Sequence, residues 1–167
     1  MNEKEDLDLE KFDLNLLKIL SEDGRKSFRS LSEDLKKSPI TVKKHIEDLE
    51  DKGIIKNYGV NIDYERLGYD IIALIEITIA KGKMLEVERH IANDPHVYGV
   101  YDITGTYDAL ILARFKTRAE LSKMVKEINS SEFVVRTNTH LILNVIKEGT
   151  SFSDLLNCEE SENKSKS

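Results

Sequence analysis

The apolar positions in the first third of the chain repeat at helical spacing. Residues three or four positions apart on a helix share one face, so such a repeat predicts an amphipathic helix. Two repeats of this kind predict two helices, the first ending near Gly24: Phe12, Leu16, Ile19 and Leu20, followed by Phe28, Leu31 and Leu35. Each helix would bury its apolar face and expose its charged residues.

A third helix is predicted to begin after Ser38 and to end near Gly53. A serine just before a helix accepts a hydrogen bond from a backbone N–H, and Pro39 fits the first turn, where its missing N–H is not needed. The apolar face consists of Val42, Ile46 and Leu49. Only Lys36 and Lys37 separate this helix from the second, so the two helices must cross steeply, as in a helix-turn-helix.

After Gly53 the pattern changes from the helical period to β-branched and alternating runs. Residues 54–63 predict a short extended segment, and residues 63–70 predict a hinge turn. The remaining pattern predicts strand, helix, strand, strand, helix and strand over 71–80, 84–91, 97–104, 108–115, 117–128 and 134–148. This order predicts an α+β fold, in which the helix-turn-helix precedes a ferredoxin-like βαββαβ sheet with both helices on one face.

The predicted strands are apolar on both faces. The first strand alternates Ile71, Ala73, Ile75 and Ile77 with Ile72 and Leu74, and the last sets Leu141, Leu143 and Val145 against Ile142 and Ile146. Because the helices cover only one face, the second face needs another partner. The same face of a second chain would serve, so we expect a homodimer through this domain.

These patterns divide the chain into four segments. Residues 1–60 are expected to form a helix-turn-helix domain behind an acidic N-terminal extension, residues 61–70 a hinge, and residues 71–150 the βαββαβ domain. Residues 151–167 are polar and largely without periodicity, so we expect a tail that is mostly disordered.

The 167 residues carry a formal net charge of -6, which argues against indiscriminate coating of nucleic acid. Residues 25–44 nevertheless hold seven basic residues against two acidic ones: Arg25, Lys26, Arg29, Lys36, Lys37, Lys43 and Lys44 against Glu33 and Asp34. This basic segment coincides with the predicted helix-turn-helix. A local DNA contact is therefore compatible with an acidic protein.

Other classes of protein have no support in the sequence. No apolar run approaches the roughly 18 residues of a membrane helix, and MNEKEDLDLE is too acidic for a signal peptide, so we expect a cytoplasmic location and no membrane partner. The four histidines have no metal-ligand spacing among themselves or to Cys158. Neither G-x-x-x-x-G-K nor G-x-S-x-G occurs, and we predict no catalytic residue, metal or cofactor.

Six short sequence motifs follow one another between Leu9 and Gly149. They are LLKILSEDGR with Asp13 before it, SFRSLSEDL, SPITVKKHIEDLEDKGII, DYERLGY, DITGTYDALI and RTNTHLILNVIKEG. In their order and spacing the chain resembles the Lrp/AsnC family of feast/famine transcription regulators. The most diagnostic residues, Gly105 to Asp108, match the family's G-x-Y-D turn. The resemblance implies a winged helix-turn-helix that binds promoter DNA. It also implies a second domain that builds dimers or octamers and binds a small molecule, commonly an amino acid, near that turn.

The candidate DNA-binding residues lie in and around the third helix. Side chains on its N-terminal solvent face are expected to enter the major groove: Ile40, Thr41, Lys43 and Lys44. Side chains suited to phosphate contacts or to capping surround them: Arg25, Arg29, Lys36, Lys37 and Ser38. The family usually has glycine and an apolar residue in place of Lys36 and Lys37, and arginine where this chain has His45, Glu47 and Asp48. The alternative is an ordinary exposed helix, whose lysines pair with acids four residues later.

The candidate effector-binding residues are Gly105, Thr106, Tyr107 and Asp108 of the turn, with Thr137 and Thr139 of the last strand. Backbone N–H groups and a carboxylate suit the two charged ends of an amino acid. The alternatives are a plain tight turn and a cross-strand pair of hydroxyl groups.

We therefore expect a sequence-specific transcription regulator that binds double-stranded DNA as a homodimer or octamer and responds to a small molecule such as an amino acid. Two alternatives stay open. One is an effector-binding module that has lost DNA binding, and the other is an enzyme resembling the sirohaem decarboxylases, which share the two-domain architecture.

Overall fold

The computed structural model describes residues 9–149 and 151–165, which fold into two compact units. One unit combines the N-terminal part of the chain up to Asn61 with the residues from Glu148 onward, and the other is Ile62–Lys147. The elements are α1 (Lys11–Glu22), α2 (Phe28–Leu35), α3 (Pro39–Asp51), β1 (Ile71–Ile79), α4 (Met84–Ala92), β2 (Val97–Asp102), β3 (Ala109–Phe115), α5 (Arg118–Ser130), β4 (Val134–Ile142) and α6 (Phe152–Ser165). The predicted order of elements up to β4 and the α+β class are confirmed.

The first three helices enclose a small apolar core. Their helical repeats bring five side chains together, each at most 5% exposed: Leu16, Leu31, Val42, Ile46 and Leu49. Ile54 and Ile55, directly after α3, pack against this core. Since burying one aliphatic side chain contributes roughly 1.5–3 kcal/mol, the core holds α2 and α3 at a defined angle.

Hydrogen bonds fix both ends of α3 where the sequence predicts them. The Ser38 hydroxyl oxygen accepts the N–H of Thr41 at 3.1 Å. Beyond the last turn Gly53 has a φ of 66°, and its N–H and the following one bond to the carbonyl groups of Glu50 and Leu49 at 2.9 Å each. This is a Schellman motif, in which glycine adopts the left-handed conformation without the steric cost of a Cβ.

Residues 54–61 continue from α3 as irregular chain. The sequence predicts a short extended segment here, and the fold prediction includes a wing. Within residues 9–61 every regular element is a helix. A strand requires a neighbour to complete its hydrogen bonds, and this part of the described chain offers none.

The second unit is built on an antiparallel four-stranded sheet in the order β2-β3-β1-β4. Helices α4 and α5 share one core with one face of the sheet. The core side chains from the central strands are Ala73, Ile75, Ile77, Ala109, Ile111, Ala113 and Phe115, and those from the helices are Val87, Ile91, Leu121, Met124 and Ile128. The predicted ferredoxin-like βαββαβ topology, with both helices on one face, is confirmed.

The opposite face of the sheet carries apolar side chains that are only partly buried. The strand register aligns Leu74 with Leu112, and Ile72 with Ile142. A polar group lies among them, in which the Glu76 carboxylate accepts a hydrogen bond from the Asn138 amide at 2.9 Å. We call this the open face, because no helix of the described unit covers it.

The last strand is shorter than the sequence predicts. β4 ends at Ile142, which pairs with Ile72 at the start of β1. Beyond that point only Ile71 of β1 remains, so the apolar run continues without a ladder. Leu143 and Ile146 are 88% and 93% exposed there. The prediction of a strand reaching residue 148 was therefore wrong.

The polar tail differs most from its prediction. Residues 152–165 form helix α6, where the sequence predicts disorder. α6 packs against α1, with Leu156 only 7% exposed. A single buried leucine leaves almost no periodic signal in the sequence, and it contributes to the helix only once α1 supplies the opposite surface.

Candidate functional site

The first turn of α3 presents the residues expected to contact DNA bases. Ile40 is 83% exposed, and Lys43 and Lys44 are also exposed. Thr41 is partly buried, and its hydroxyl group hydrogen-bonds to that of Ser38 at 2.8 Å. This leaves its methyl group, more than its hydroxyl group, for contact with a partner. Ser38 itself serves the helix as its cap.

One of the two predicted ion pairs on α3 is formed. The Lys43 ammonium group lies 3.4 Å from the Glu47 carboxylate, and both side chains are more than half exposed. Among residues 9–149, Lys44 makes no equivalent contact with Asp48. An exposed i, i+4 pair contributes only a few tenths of a kcal/mol, so Lys43 can exchange this partner for a phosphate or a base at little cost.

The residues expected to contact phosphates are exposed around α2 and the turn. Arg25, Lys36 and Lys37 are solvent-exposed, and Arg29 makes an exposed ion pair with Glu33 at 3.3 Å. The turn that joins α2 to α3 contains a strained residue, because Lys36 has φ 53° and ψ 42°. This left-handed conformation is the one that glycine adopts without steric cost.

Lys26 belongs to the basic segment but is held in place by another residue. Its ammonium group forms a 2.7 Å ion pair with Asp34. That hydrogen bond raises the pKa of Lys26 above its ordinary value, against the opposing effect of desolvation. The side chain therefore ties the start of α2 to its end.

A side-chain hydrogen bond that the sequence analysis missed joins α1 to α3. His45 Nδ1 lies 2.7 Å from the carboxylate of Asp13, which is only 6% exposed, and the imidazole ring packs edge-on against Phe12. Asp13 also accepts the N–H of Glu10 at the start of α1. The only feature of the sequence that could have indicated this contact is Asp13, an acidic residue at a helical position that the structure buries. His45 is thus directed towards α1.

The turn between β2 and β3 is attached to the end of β1. The Asp108 carboxylate accepts the backbone N–H of Ile79 at 2.8 Å, and the Asp108 N–H donates to the Ile77 carbonyl at 2.9 Å. Gly105 has a φ of 128°, which favours glycine. The Arg136 guanidinium lies over the Tyr107 ring at 4.8 Å. The turn is therefore anchored to β1, and a cation lies over its one aromatic ring.

The two threonines of β4 lie on the helix-bearing face of the sheet. The register aligns Thr137 with Ile77 and Thr139 with Ile75, whose side chains are buried in that core. Thr137 donates a hydrogen bond to the Asn129 amide oxygen of α5 at 3.1 Å. The cross-strand hydroxyl pair is therefore not formed with β1. Within one chain, the structure does not bring these threonines into contact with the turn.

Two acidic residues that the sequence analysis missed meet next to the turn. Asp102 ends β2, where it pairs with Ala109 of β3, and Glu88 of α4 is close enough to interact with its charge. Burial, and then the Asp102 charge, raise the pKa of Glu88. One Glu88 carboxylate oxygen is buried without a hydrogen-bond partner among the described residues. The two acidic residues are 14 positions apart in the sequence, so no local motif predicts that they lie close together.

The described residues contain no group of three or more potential metal ligands. None of their helices is long and apolar enough to cross a membrane.

Most of the described chain matches two family models. Residues 9–56 match a winged helix-turn-helix DNA-binding model, and residues 72–152 match the Lrp/AsnC ligand binding domain. The chain belongs to the Lrp/AsnC family. It is a DNA-binding transcription regulator with a ligand-binding domain, and not an enzyme. The alternative of a sirohaem-decarboxylase-like enzyme is therefore discarded.

Individual relatives agree with this assignment. An uncharacterised HTH-type transcriptional regulator of Pyrococcus horikoshii is 39% identical over 142 residues, which cover 85% of this chain and 96% of the relative. A Neisseria meningitidis transcriptional regulator, solved in complex with L-Met, superposes with a TM-score of 0.78 at 29% identity, covering 86% of this chain and 95% of that one. Escherichia coli AsnC has the same fold, with a TM-score of 0.80 at 20% identity, covering 86% of this chain and 98% of its own.

Proposed function

We propose that this Lrp/AsnC regulator acts as a homodimer or larger assembly that reads a pseudo-palindromic promoter site through α3 and responds to an amino acid. The observation that carries the DNA-reading part is the first turn of α3. There an isoleucine that is 83% exposed and two exposed lysines lie on one capped helix end, beside four exposed cations. A helix-turn-helix inserts this end of its second helix into the major groove.

The exposed side chains divide by chemistry into base-reading and positioning groups. Ile40 and the Thr41 methyl group suit a thymine methyl, and the lysines Lys43 and Lys44 suit guanine or phosphate oxygens. Phosphate contacts that position the protein without reading sequence are assigned to four cations: Arg25, Arg29, Lys36 and Lys37. The acids Glu47 and Asp48 follow one turn later on α3 and disfavour loose, non-specific binding.

The effector part of the proposal is supported by the charges around the turn of residues 105–108. Arg136, stacked on Tyr107, offers a positive charge to a carboxylate. Glu88 and Asp102 offer negative charge to an ammonium group at the adjoining end of β2. Opposite charges flanking one anchored turn suit the two ends of an amino acid. Gly105, Thr106, Tyr107 and Asp108 are the proposed contact residues, with Thr137 and Thr139 contributed by a neighbouring chain.

The open face of the sheet is the proposed dimer interface. Its apolar side chains, such as Leu74 and Leu112, are only partly buried within one chain. Covering them with the same face of a second chain removes this apolar surface from water and gives an isologous interface.

A single selection experiment tests the DNA-binding and effector parts together. The purified full chain is used to select bound fragments from a random pool of double-stranded DNA, with and without each of a panel of amino acids. We expect one enriched pseudo-palindrome with half-sites about one DNA turn (~34 Å) or a multiple apart, and at least one amino acid that changes the recovery. No enrichment under any condition would mean that the chain is an effector-binding module without DNA binding.

The lysines are tested on the selected site. The double variant Lys43→Ala, Lys44→Ala should bind more weakly, and its salt dependence should be flatter by roughly one slope unit per lost phosphate contact. Lys52→Ala, at the other end of α3 and also exposed, is the matched control and should bind like the parent. Unchanged affinity and slope in the double variant would remove these lysines from the interface.

Asp108 tests the effector site. Asp108→Asn keeps an oxygen that can accept the Ile79 N–H but removes the charge. We expect the variant to assemble like the parent in sedimentation velocity and to lose the change in DNA binding on addition of the amino acid. A response that persists at the parent's amino-acid concentration would place the pocket elsewhere.

A further inference from the structure

Helix α6 lies, apart from its first residue, beyond the segments that match the two family models. The Lrp/AsnC ligand-binding model ends at residue 152, the first residue of α6. The Pyrococcus relative contributes 96% of its own length to the match but aligns with only 142 residues of this chain.

α6 makes a specific contact with the first helix of the DNA-binding unit. Ser153 and Leu156 are 5% and 7% exposed, and the Asn157 amide oxygen accepts a 2.6 Å hydrogen bond from the ammonium group of Lys18 in α1. These three residues of α6 are spaced i, i+3 and i+4, so they share one face of the helix. Leu155, which precedes the buried leucine, is 53% exposed. One face of α6 thus packs against α1, and the other is exposed to solvent.

The contact gives the DNA-binding unit a second attachment to the sheet unit. The chain leaves the helical unit at Asn61 and returns to it at Glu148, and both crossings run through irregular, exposed segments. A unit held by one irregular segment explores many orientations, and closing a second connection removes many of them. This second connection holds only as long as α6 stays on α1.

We propose that α6 is a latch that restricts the orientation of the helix-turn-helix and so narrows the range of half-site spacings that the regulator accepts. Leu156, Asn157 and Lys18 are its positioning residues. The inference rests on the proposed binding of two half-sites by a dimer. One inserted base pair moves a half-site by about 3.4 Å and turns it by about 35°. A restrained unit cannot follow that displacement, whereas a freely attached unit can.

The test uses the site selected by the full chain and a series of derivatives in which one to five base pairs are inserted or removed between the half-sites. Affinities are measured for the parent, for Leu156→Asp and for Leu155→Asp. Leu156→Asp places a charge on the face of α6 that packs against α1, and Leu155→Asp is the matched control on the exposed face. We expect the parent and the control to lose about tenfold or more in affinity away from the best spacing. Leu156→Asp should bind the best site about as well and lose less than about threefold on its neighbours.

Thermal unfolding followed by circular dichroism separates loosening of the latch from loss of folding. If Leu156→Asp is unfolded at the assay temperature, the same series is measured with Asn157→Ala. This variant removes the hydrogen bond to Lys18 without placing a charge on the buried face of α6. Identical spacing profiles for the parent and a folded latch variant would overturn the inference. If the full chain selects no site at all, the proposed DNA binding fails instead, so the two failures are distinguishable.

Discussion

The left-handed residue in the turn between α2 and α3 allows a prediction in which stability and DNA binding change in opposite directions. Lys36 has φ 53° and ψ 42°, close to the ideal left-handed helical values, and it is the only described non-glycine residue with positive φ. Its N–H caps α2 by bonding to the Ser32 carbonyl. The perturbation is Lys36→Gly, which keeps this backbone geometry and removes the Cβ.

The expected magnitude follows from two opposing effects. A residue with a Cβ pays roughly 1–2 kcal/mol for the left-handed conformation. Glycine recovers that cost but loses more conformational entropy on folding, by roughly 0.5–1 kcal/mol. Because the Lys36 side chain is exposed, little packing is lost. We expect Lys36→Gly to raise the free energy of unfolding by about 0.5–1 kcal/mol.

The same substitution should weaken DNA binding. It removes one proposed phosphate contact, so the slope of log affinity against log salt should fall by about 0.9. Lys36→Ala separates the two effects, because it removes the charge and retains the strained Cβ. We expect Lys36→Ala to bind DNA as weakly as Lys36→Gly without its gain in stability.

The assay is urea unfolding of the full chain, followed by circular dichroism at a helical wavelength and at one fixed protein concentration. Lys37→Gly is the matched control, since Lys37 is exposed in the same turn and has a negative φ. We expect this control to be less stable than the parent. If Lys36→Gly is destabilised as much as Lys37→Gly, then Lys36 is not strained and the reasoning fails.

Two further predictions concern a helix cap and a carboxyl group. Ser38→Ala removes the acceptor of the Thr41 N–H and should lower the free energy of unfolding by about 1 kcal/mol; a urea midpoint equal to the parent's would contradict the capping role. Glu88 has a raised pKa in the folded protein, so its ionisation costs stability above that pKa and costs nothing below the unfolded value of about 4.3. Glu88→Gln should therefore raise the Tm at pH 7, with the gain vanishing towards pH 4; a gain that is equal at both pH values would show that charge is not its cause.

Local signals account for what the sequence predicts well. The boundaries of α3 follow from a serine cap, a proline and a glycine, each of which acts within one turn of its own position. The order of the strands and helices follows from periodicity in the same way. The proposed DNA-contacting residues also follow from local pattern, because an exposed helical face next to a short turn is visible in the residue types themselves.

Contacts between distant residues account for what the sequence analysis missed. The Asp13–His45 pair joins residues 32 positions apart, and Asp108 bonds to Ile79 over 29 positions. In each case a polar residue has a function only because the fold supplies its partner. The raised pKa of Glu88 has the same origin, since α4 and the end of β2 must come together before the two acids interact.

The sequence by itself determined the helix-turn-helix, the βαββαβ order and the basic segment. Periodicity and helix caps act between residues that are near in sequence, and the charge of a segment is the sum of the charges of its residues. The tertiary structure decided where β4 ends, because a strand lasts only as long as its neighbour β1 provides a ladder. It also decided that the polar C-terminal residues form a helix, because Leu156 gains its stabilisation only on the surface of α1. A segment with one buried apolar side chain has no hydrophobic pattern of its own, so its structure depends on the partner that folding brings to it.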